Sequence, residues 1–148
     1  MECRMNFDEI EFTMGDTTVL WRRLFNIILK PIGLPTNERR ALVETKRNPG
    51  LTQIELARKL DIEPQNMLRV LDRLEAKEWV TKEDDPDDRR AKRIYLTASA
   101  EPILEEMLQL GSELHEKAIE NITVEELKAC QDCLEKIKLN LLESAKII

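Results

Sequence analysis

The chain has 148 residues, of which 42% are hydrophobic and 35% are charged, so it has the size and composition of one folded, water-soluble domain. Aromatic residues make up only 4% and there are four glycines, a composition that predicts a mostly α fold. No apolar run approaches the roughly 20 residues that span a bilayer, and residues 1–14 are acidic where a secretory signal would be basic and then apolar. These features predict a cytoplasmic protein without a membrane span.

The net charge of −6 is unevenly distributed along the chain. Residues 98–148 carry 5 basic and 11 acidic side chains and therefore hold the whole acidic excess. Residues 52–97 are close to neutral, yet four of their cations fall within five positions. An acidic total therefore does not exclude a nucleic-acid partner, because the distribution of charge matters more than its sum. The four clustered cations are Arg89, Arg90, Lys92 and Arg93.

Two helices are predicted in the first third of the chain. Apolar residues recur at helical spacing over residues 16–30, with Asp16 as the N-cap, and the pattern can be continued back to Phe7. A second helix is predicted over residues 36–47, ending at the Asn-Pro-Gly breaker of residues 48–50. The side chains expected on its polar side are Glu38 and Glu44, and those expected to face inward are Ala41, Leu42 and Val43.

Residues 52–77 are predicted to form a helix-turn-helix. Thr52 begins a short helix, and Glu55 three positions later completes a capping box. This helix ends near Asp61, and Pro64, favourable in a first helical turn, opens another. Two short helices across a tight turn are the helix-turn-helix pattern. The residues expected to face inward are Ile54, Leu56, Ala57 and Leu60 on the first helix, and Met67, Leu68, Leu71 and Leu74 on the second.

A β-hairpin and two further helices complete the predicted architecture. Strands are predicted at residues 79–82 and 93–97, separated by the acidic, turn-rich segment 84–88. Apolar periodicity then predicts a long helix over residues 98–122 and, after a capping box at residues 123–126, a last helix. The predicted fold is therefore mostly α, a winged helix-turn-helix with a two-stranded hairpin as its wing.

The hairpin carries a recognisable motif. Residues 88–97 read Asp-Arg-Arg-Ala-Lys-Arg-Ile-Tyr-Leu-Thr, and this D-R-R-x-x-x-x-x-L-T stretch resembles the signature of the MarR family of winged helix-turn-helix transcription regulators. Residues 70–75 and 100–102, together with residues 21–31 of the first helix, are similar to the SlyA subgroup of that family. The resemblance covers roughly residues 16–145.

The resemblance implies a homodimeric, sequence-specific regulator of transcription, a repressor or an activator, on double-stranded DNA. Family members are dimers whose first and last helices interlock, and two recognition helices one DNA turn apart imply a pseudopalindromic operator with half-sites centred roughly 10 to 11 base pairs apart. The family also implies modulation by a small phenolic or lipophilic anion, for which no binding residue is assigned. The expected organisation is a single domain (1–148) with a DNA-binding lobe (51–97, helix-turn-helix 52–77, wing 79–97) and dimerisation helices (16–30 and 98–146).

The predicted recognition helix supplies the candidate base-reading residues. Arg69 lies in its second turn, where a guanidinium can donate to guanine O6 and N7 in the major groove, and two polar residues lie nearer the N-terminus that enters deepest. The alternative is that these are polar surface residues of a bundle helix. Arg73 has the further alternatives of pairing with Asp72 or Glu75, or of contacting phosphate. The four candidates are Gln65, Asn66, Arg69 and Arg73.

The wing supplies a second set of candidates. In the family, the arginine pair of the motif reaches the minor groove or the backbone while the neighbouring aspartate orients a guanidinium, and the resemblance assigns these roles to Arg89, Arg90 and Asp88. Strand alternation sends Lys92 and Arg93 to opposite faces, so both are weaker phosphate candidates and one of them is expected to be structural.

Other features of the lobe modify this interpretation. Thr52 and Gln53 are candidates for donation to phosphate from a helix N-terminus, although capping alone explains Thr52. Glu78 stands where the family commonly has glycine, so a left-handed backbone there would cost about 1 kcal/mol. The hairpin tip holds four carboxylates that would repel phosphate unless they splay outward or pair with the arginines. These are Glu83, Asp84, Asp85 and Asp87.

Two other functions remain as alternatives: a winged-helix adaptor that docks a protein partner, motivated by the acidic wing, and a thiol-based redox or metal sensor. Cys130 and Cys133 have a C-x-x-C spacing, but two ligands do not make a metal site, and Cys130 is expected to pack among apolar residues. Cys3 precedes the first helix, where oxidant-sensing family members carry a cysteine. With no catalytic, cofactor-binding or metal-binding constellation in the sequence, we expect neither an enzyme nor a cofactor.

Overall fold

A computed structural model describes the backbone of residues 2–146 and the side chains of residues 7–146. One-turn 3₁₀ helices lie at Lys30–Ile32 and Ala98–Ala100. No helix within the described range is long and apolar enough to cross a membrane. The elements are α1 (Glu2–Ile28), α2 (Thr36–Arg47), α3 (Gln53–Leu60), α4 (Pro64–Ala76), β1 (Val80–Asp84), β2 (Lys92–Leu96), α5 (Glu101–Ala118) and α6 (Val124–Ala145).

The chain divides into two compact units, residues 1–111 and residues 112–148. The first unit contains the hydrophobic core, in which α2, α3, α4 and the hairpin pack together. This arrangement confirms the predicted fold class, a mostly α winged helix-turn-helix with a two-stranded wing. The fully buried apolar side chains of the core include Leu42, Leu56, Met67, Leu71, Leu74 and Ile94.

Helix α1 differs from its prediction at its start. It is continuous from Glu2 to Ile28, so the predicted N-cap at Asp16 is wrong and Gly15 lies in the helix interior. The apolar periodicity that can be continued to Phe7 reflects this longer helix. Many of its apolar side chains lie on the surface of the unit, among them Phe12, Val19, Leu20 and Ile27.

Helix α2 has the predicted bounds, but its inward face is different. Glu38 and Glu44 were expected on the polar side and are buried, whereas Val43 was expected inside and is 43% exposed. The reason is that α2 packs against α3, α4 and β2, and these neighbours bring cations to both carboxylates. Lys59 Nζ lies 3.6 Å from Glu44 Oε1, and Lys77 Nζ lies 2.6 Å from Glu38 Oε2.

The helix-turn-helix forms with its predicted capping. Thr52 and Glu55 make the reciprocal capping box, and Asp61 is the C-cap of α3, with a left-handed φ of 52°. Two side chains expected to face inward do not: Ile54 on α3 is 58% exposed and Leu68 on α4 is 43% exposed. Val70 takes the inward position on α4 instead.

The wing is an antiparallel hairpin in which Val80 pairs with Leu96 and Asp84 pairs with Lys92. The loop between α2 and α3 joins it, since the Gly50 amide donates to the Ile94 carbonyl and the Ile94 amide donates to the Leu51 carbonyl, both at 2.9 Å. Gly50 has φ 82°, and a Cβ there would lie 2.9 Å from Tyr95 Oη. At the start of the wing Glu78 has φ 61°, the left-handed backbone anticipated for that position.

The second unit consists of the end of α5 and all of α6. The predicted capping box is present, with Thr123 Oγ1 accepting from the Glu126 amide at 3.2 Å. No residue of α6 is buried within the described chain. The expectation that Cys130 packs among apolar residues is therefore wrong for this chain by itself, because Cys130 is exposed on α6.

Candidate nucleic-acid interface

Helix α4 turns one polar face away from the core. Met67 and Leu71 are fully buried, and successive residues of an α-helix are rotated by about 100°, which places Gln65 and Arg69 on the opposite side. Gln65 and Arg69 are four residues apart, so they are neighbours on this side, and both are exposed. We call this pair the outward ridge. It presents an amide and a guanidinium, the groups that make bidentate hydrogen bonds to adenine and guanine.

One flank of α4 faces helix α2 and carries Asn66 and Arg73. Arg73 Nη1 lies 3.7 Å from Glu38 Oε1, and Lys77 Nζ donates to the other oxygen of the same carboxylate at 2.6 Å. Glu38 is only 1% exposed, so the carboxylate is removed from water and depends on these cations for compensation. Arg73 therefore pairs with neither Asp72 nor Glu75, and its ion-pair partner belongs to α2.

The other flank of α4 faces the wing and carries Leu68, Asp72 and Glu75. Lys82 on β1 makes ion pairs with both Asp72 and Glu75, the latter at 3.2 Å between Nζ and Oε2. Burial of the ammonium would lower the pKa of Lys82, but the hydrogen bonds and charges of the two carboxylates outweigh it and raise that pKa. The first strand of the wing is thereby tied to the recognition helix.

Asp85 organises the tip of the wing. Its Oδ1 accepts hydrogen bonds from the backbone amides of Asp87 at 2.8 Å and Asp88 at 3.0 Å, and its Oδ2 lies 2.7 Å from Arg93 Nε. These amides, first of all that of Asp87, together with the Arg93 guanidinium, hold the pKa of Asp85 below its usual value. Sequence reasoning counted Asp85 among the repelling carboxylates, whereas it is 7% exposed and directed inward.

The candidate cations of the wing fall into two groups. Arg89 and Arg90 lie in the exposed turn at the tip, with the Arg90 side chain 95% exposed. Asp88 Oδ1 accepts from the Arg90 amide at 3.0 Å and lies 3.6 Å from Arg90 Nε. Lys92 makes an ion pair with Asp84. Arg93 Nη1 donates to the Gly50 carbonyl at 3.0 Å, so its guanidinium joins the wing to the α2–α3 loop.

The N-terminus of α3 is closed by its own capping box. Thr52 Oγ1 accepts from the Glu55 amide at 3.3 Å, and Glu55 Oε2 accepts from the Thr52 amide at 2.8 Å. The hydrogen bonds from Thr52 lower the pKa of Glu55. The Thr52 backbone amide is thus already occupied, and Gln53 is the half-buried residue that follows it.

The helix-turn-helix and the wing are similar to those of known proteins. A sequence model described as MarR family matches residues 32–91, which include α2, the helix-turn-helix and the wing as far as Ala91. A MarR-family transcriptional regulator from Silicibacter pomeroyi has a TM-score of 0.79 to this chain, with 25% sequence identity over 88% of each chain. Residues 32–91 thus match the MarR family in sequence, and the fold of the chain is similar to that of MarR-family regulators.

Two structures of MarR from E. coli are also similar to this chain. The wild-type apo form is 27% identical, with a TM-score of 0.69, and the match covers 86% of this chain and 95% of that one. A single-substitution mutant solved in complex with operator DNA is likewise 27% identical, with a TM-score of 0.66 and coverage of 87% and 93%. The SlyA-like subgroup stays a prediction within the family.

Two residues of this lobe were missed as site residues. Glu38 joins α2 to the end of the recognition helix, and Asp85 holds the tip of the wing. A signal for Asp85 is present in the sequence, because an aspartate followed by proline and two further aspartates favours a turn in which its carboxylate accepts backbone amides. Glu38 has no comparable signal, since its partners Arg73 and Lys77 are 35 and 39 positions away.

The two cysteines whose side chains the structure describes lie on α6, outside the helix-turn-helix and the wing. Cys130 and Cys133 are free thiols exposed on α6. Among the residues that the structure describes, no group of three or more His, Cys, Asp or Glu side chains is placed to hold a metal ion. Cys3, the residue considered for oxidant sensing, was expected to precede the first helix but lies within α1, and its side chain is outside the described range.

Proposed function

We propose that this protein is a sequence-specific DNA-binding regulator of transcription that acts as a homodimer on a pseudopalindromic operator. The observation that carries the proposal is the outward ridge of α4, Gln65 and Arg69, next to a wing whose exposed tip carries Arg89 and Arg90. The complex of the E. coli relative with operator DNA supports the same use of the fold.

The roles of the site residues follow from their surroundings. Arg69 reads guanine in the major groove and Gln65 reads a neighbouring base, because both side chains are exposed on the side of α4 opposite the buried Met67 and Leu71. Arg73, already paired with Glu38, contributes positive charge rather than base reading, and Asn66 lies on the same flank.

The wing and the N-terminus of α3 are proposed to contact the grooves and the backbone of the DNA. Arg90, which Asp88 contacts, and Arg89 contact the minor groove or phosphates from the wing. Weaker phosphate contacts are proposed for Lys92, Thr52 and Gln53, whereas Arg93 supports the wing.

The acidic residues of the wing are compatible with this role. Asp84 is neutralised by Lys92 and Asp85 by Arg93 and two amides, so two of the four carboxylates at the tip do not oppose phosphate as free charges. The acidic wing therefore gives less support to the alternative of a protein-docking adaptor.

Dimerisation is supported separately in each unit. In the first, α1 exposes Phe12 at 72% and Ile27 at 64%, and in the second, α6 exposes Val124 at 75% and Leu141 at 60%. Apolar surface of this extent is typical of subunit interfaces. A symmetric second copy would cover it and set two recognition helices on one face of the DNA.

We further propose regulation by a small amphipathic anion, such as a phenolic or lipophilic acid. An open, shallow groove on the surface of residues 19–30 combines cations with apolar side chains, the combination that such a ligand requires. A ligand there alters DNA affinity only if it binds two arrangements of the dimer differently. The groove is lined by Val19, Arg22, Arg23, Asn26, Ile27 and Lys30.

The experiment is selection of bound duplexes from a random pool, followed by affinity measurements on the selected site. Arg69→Ala should lose roughly 1 to 3 kcal/mol of binding free energy, as expected for a base-reading arginine, and should relax specificity at one position. Lys138→Ala on α6 removes the same charge from a residue outside 51–97 and should bind like the wild type. If neither Arg69→Ala nor Arg90→Ala changes binding, the surface is wrong; if no salt-dependent binding exists at all, the adaptor is favoured.

A further inference from the structure

Leu68 is the one large apolar side chain of α4 that is exposed. The other large apolar side chains of α4, Met67, Val70, Leu71 and Leu74, are no more than 6% exposed, while Leu68 is 43% exposed. It lies three residues after Gln65 and immediately before Arg69, at the edge of the outward ridge. The polar surface proposed to enter the major groove therefore contains one isolated apolar side chain.

The position of Leu68 is set by the wing. Asp72, four residues later and hence on the same flank, makes an ion pair with Lys82 of β1. Leu68 thus lies one helical turn before the residue that contacts the wing, on the side of α4 that faces the hairpin. Its flank has no cation or amide near the helix N-terminus with which to read a base edge by hydrogen bonding.

We infer that Leu68 is a specificity-determining residue that packs against the 5-methyl group of a thymine beside the base read by Arg69. The inference rests on the proposed DNA-binding function and assigns the base class at one position of each half-site. The thymine methyl is the only apolar group that an unmodified base pair presents in the major groove. Cytosine at that position would turn its N4 amino group toward a side chain that cannot accept a hydrogen bond.

The test replaces single thymines of the selected site by deoxyuridine, which removes only the methyl group. We expect one thymine in each half-site at which this change weakens binding by about fourfold, the equivalent of about 0.8 kcal/mol for one methyl-sized group. In Leu68→Ala that loss should vanish, because the partner of the methyl is gone. For the wild-type protein, cytosine at the same position should also weaken binding, and 5-methylcytosine, which restores the methyl group, should recover part of that loss.

Val43→Ala is the matched control, since Val43 is also 43% exposed but lies on α2. It should retain the full difference between thymine and deoxyuridine. If the wild type binds the selected site, Arg69→Ala weakens it, and yet no thymine is sensitive to loss of its methyl, the inference about Leu68 is wrong while the proposed function stands. If Leu68→Ala keeps the sensitivity, another residue reads the methyl. If the selection recovers no site, both are overturned.

Discussion

Helix α4 and the tip of the wing, residues 85–91, both belong to the proposed DNA surface but are fixed in place by different forces. Met67, Leu71 and Leu74 anchor α4 in the core and are fully buried. In the tip, Asp85 is the one buried residue of positions 85–90, and its carboxylate supplies the hydrogen bonds that shape the loop. The base-reading element therefore depends on apolar burial, whereas the groove-contacting element depends on one ionised group.

The largest expected effect is the loss of stability on removing a buried apolar side chain of α4. Leu71→Ala should reduce the free energy of unfolding by about 2 to 5 kcal/mol, since it removes a fully buried side chain and leaves a cavity. Urea denaturation followed by circular dichroism measures this. Leu108→Ala, at a 58% exposed position on α5, should stay within about 0.5 kcal/mol of the wild type. A loss below about 1 kcal/mol for Leu71→Ala would show that burial does not hold α4 in place.

A smaller loss is expected at the polar contact that also holds α4. Glu38→Gln keeps the shape but removes the charge that Lys77 and Arg73 share, and both cations can return to water because their side chains are 38% and 62% exposed. We expect a decrease in unfolding free energy of about 1 to 2 kcal/mol. Glu101→Gln, which breaks the exposed pair with Lys46, should be nearly neutral in the same assay. Equal effects for the two variants would mean that the burial of Glu38 is unimportant.

Substitutions at the tip of the wing should change the affinity for DNA rather than the stability of the fold. Asp85→Ala removes the acceptor for two amides and the partner of Arg93, so DNA affinity should fall on the order of tenfold while the unfolding midpoint changes little. Asp87→Ala removes the same charge from an exposed position in the same loop and should raise affinity by relieving repulsion. Parallel changes in the two variants would indicate that only net charge matters at the tip.

The smallest expected effect is the loss, at acid pH, of the hydrogen bonds that the Asp85 carboxylate accepts at the tip of the wing. Because the pKa of Asp85 is lowered in the folded protein, its contribution to stability is complete above the unfolded pKa of about 3.9 and is lost as the pH falls through the lower, folded value. The tip should therefore be unchanged between neutral pH and about pH 5. Amide chemical shifts of Asp87 and Asp88 in an NMR titration report this, and a midpoint above about 4 would contradict it.

The sequence alone was enough to predict the order of elements, both capping boxes and the hairpin, because these depend on residues close together in the chain. It misplaced Leu68 for a geometric reason. Apolar residues at 67, 68, 70, 71 and 74 spread over about 160° of the helix circumference, and which edge of this arc is exposed depends on how α2 and the wing pack against it. The burial of Glu38 and Glu44 likewise depends on cations that only the folded chain brings near.

The junction at Gly50 limits how this lobe can diverge in length. Loops ordinarily accept insertions, but the Gly50 and Leu51 backbones take part in hydrogen bonds with both polar groups of Ile94, and the Tyr95 ring occupies the space of a Cβ at position 50. One added residue between α2 and α3 would displace this pairing and with it the direction of the hairpin. Related proteins that conserve this junction are therefore expected to vary in length at the hairpin tip and at the chain ends, while this loop keeps its length.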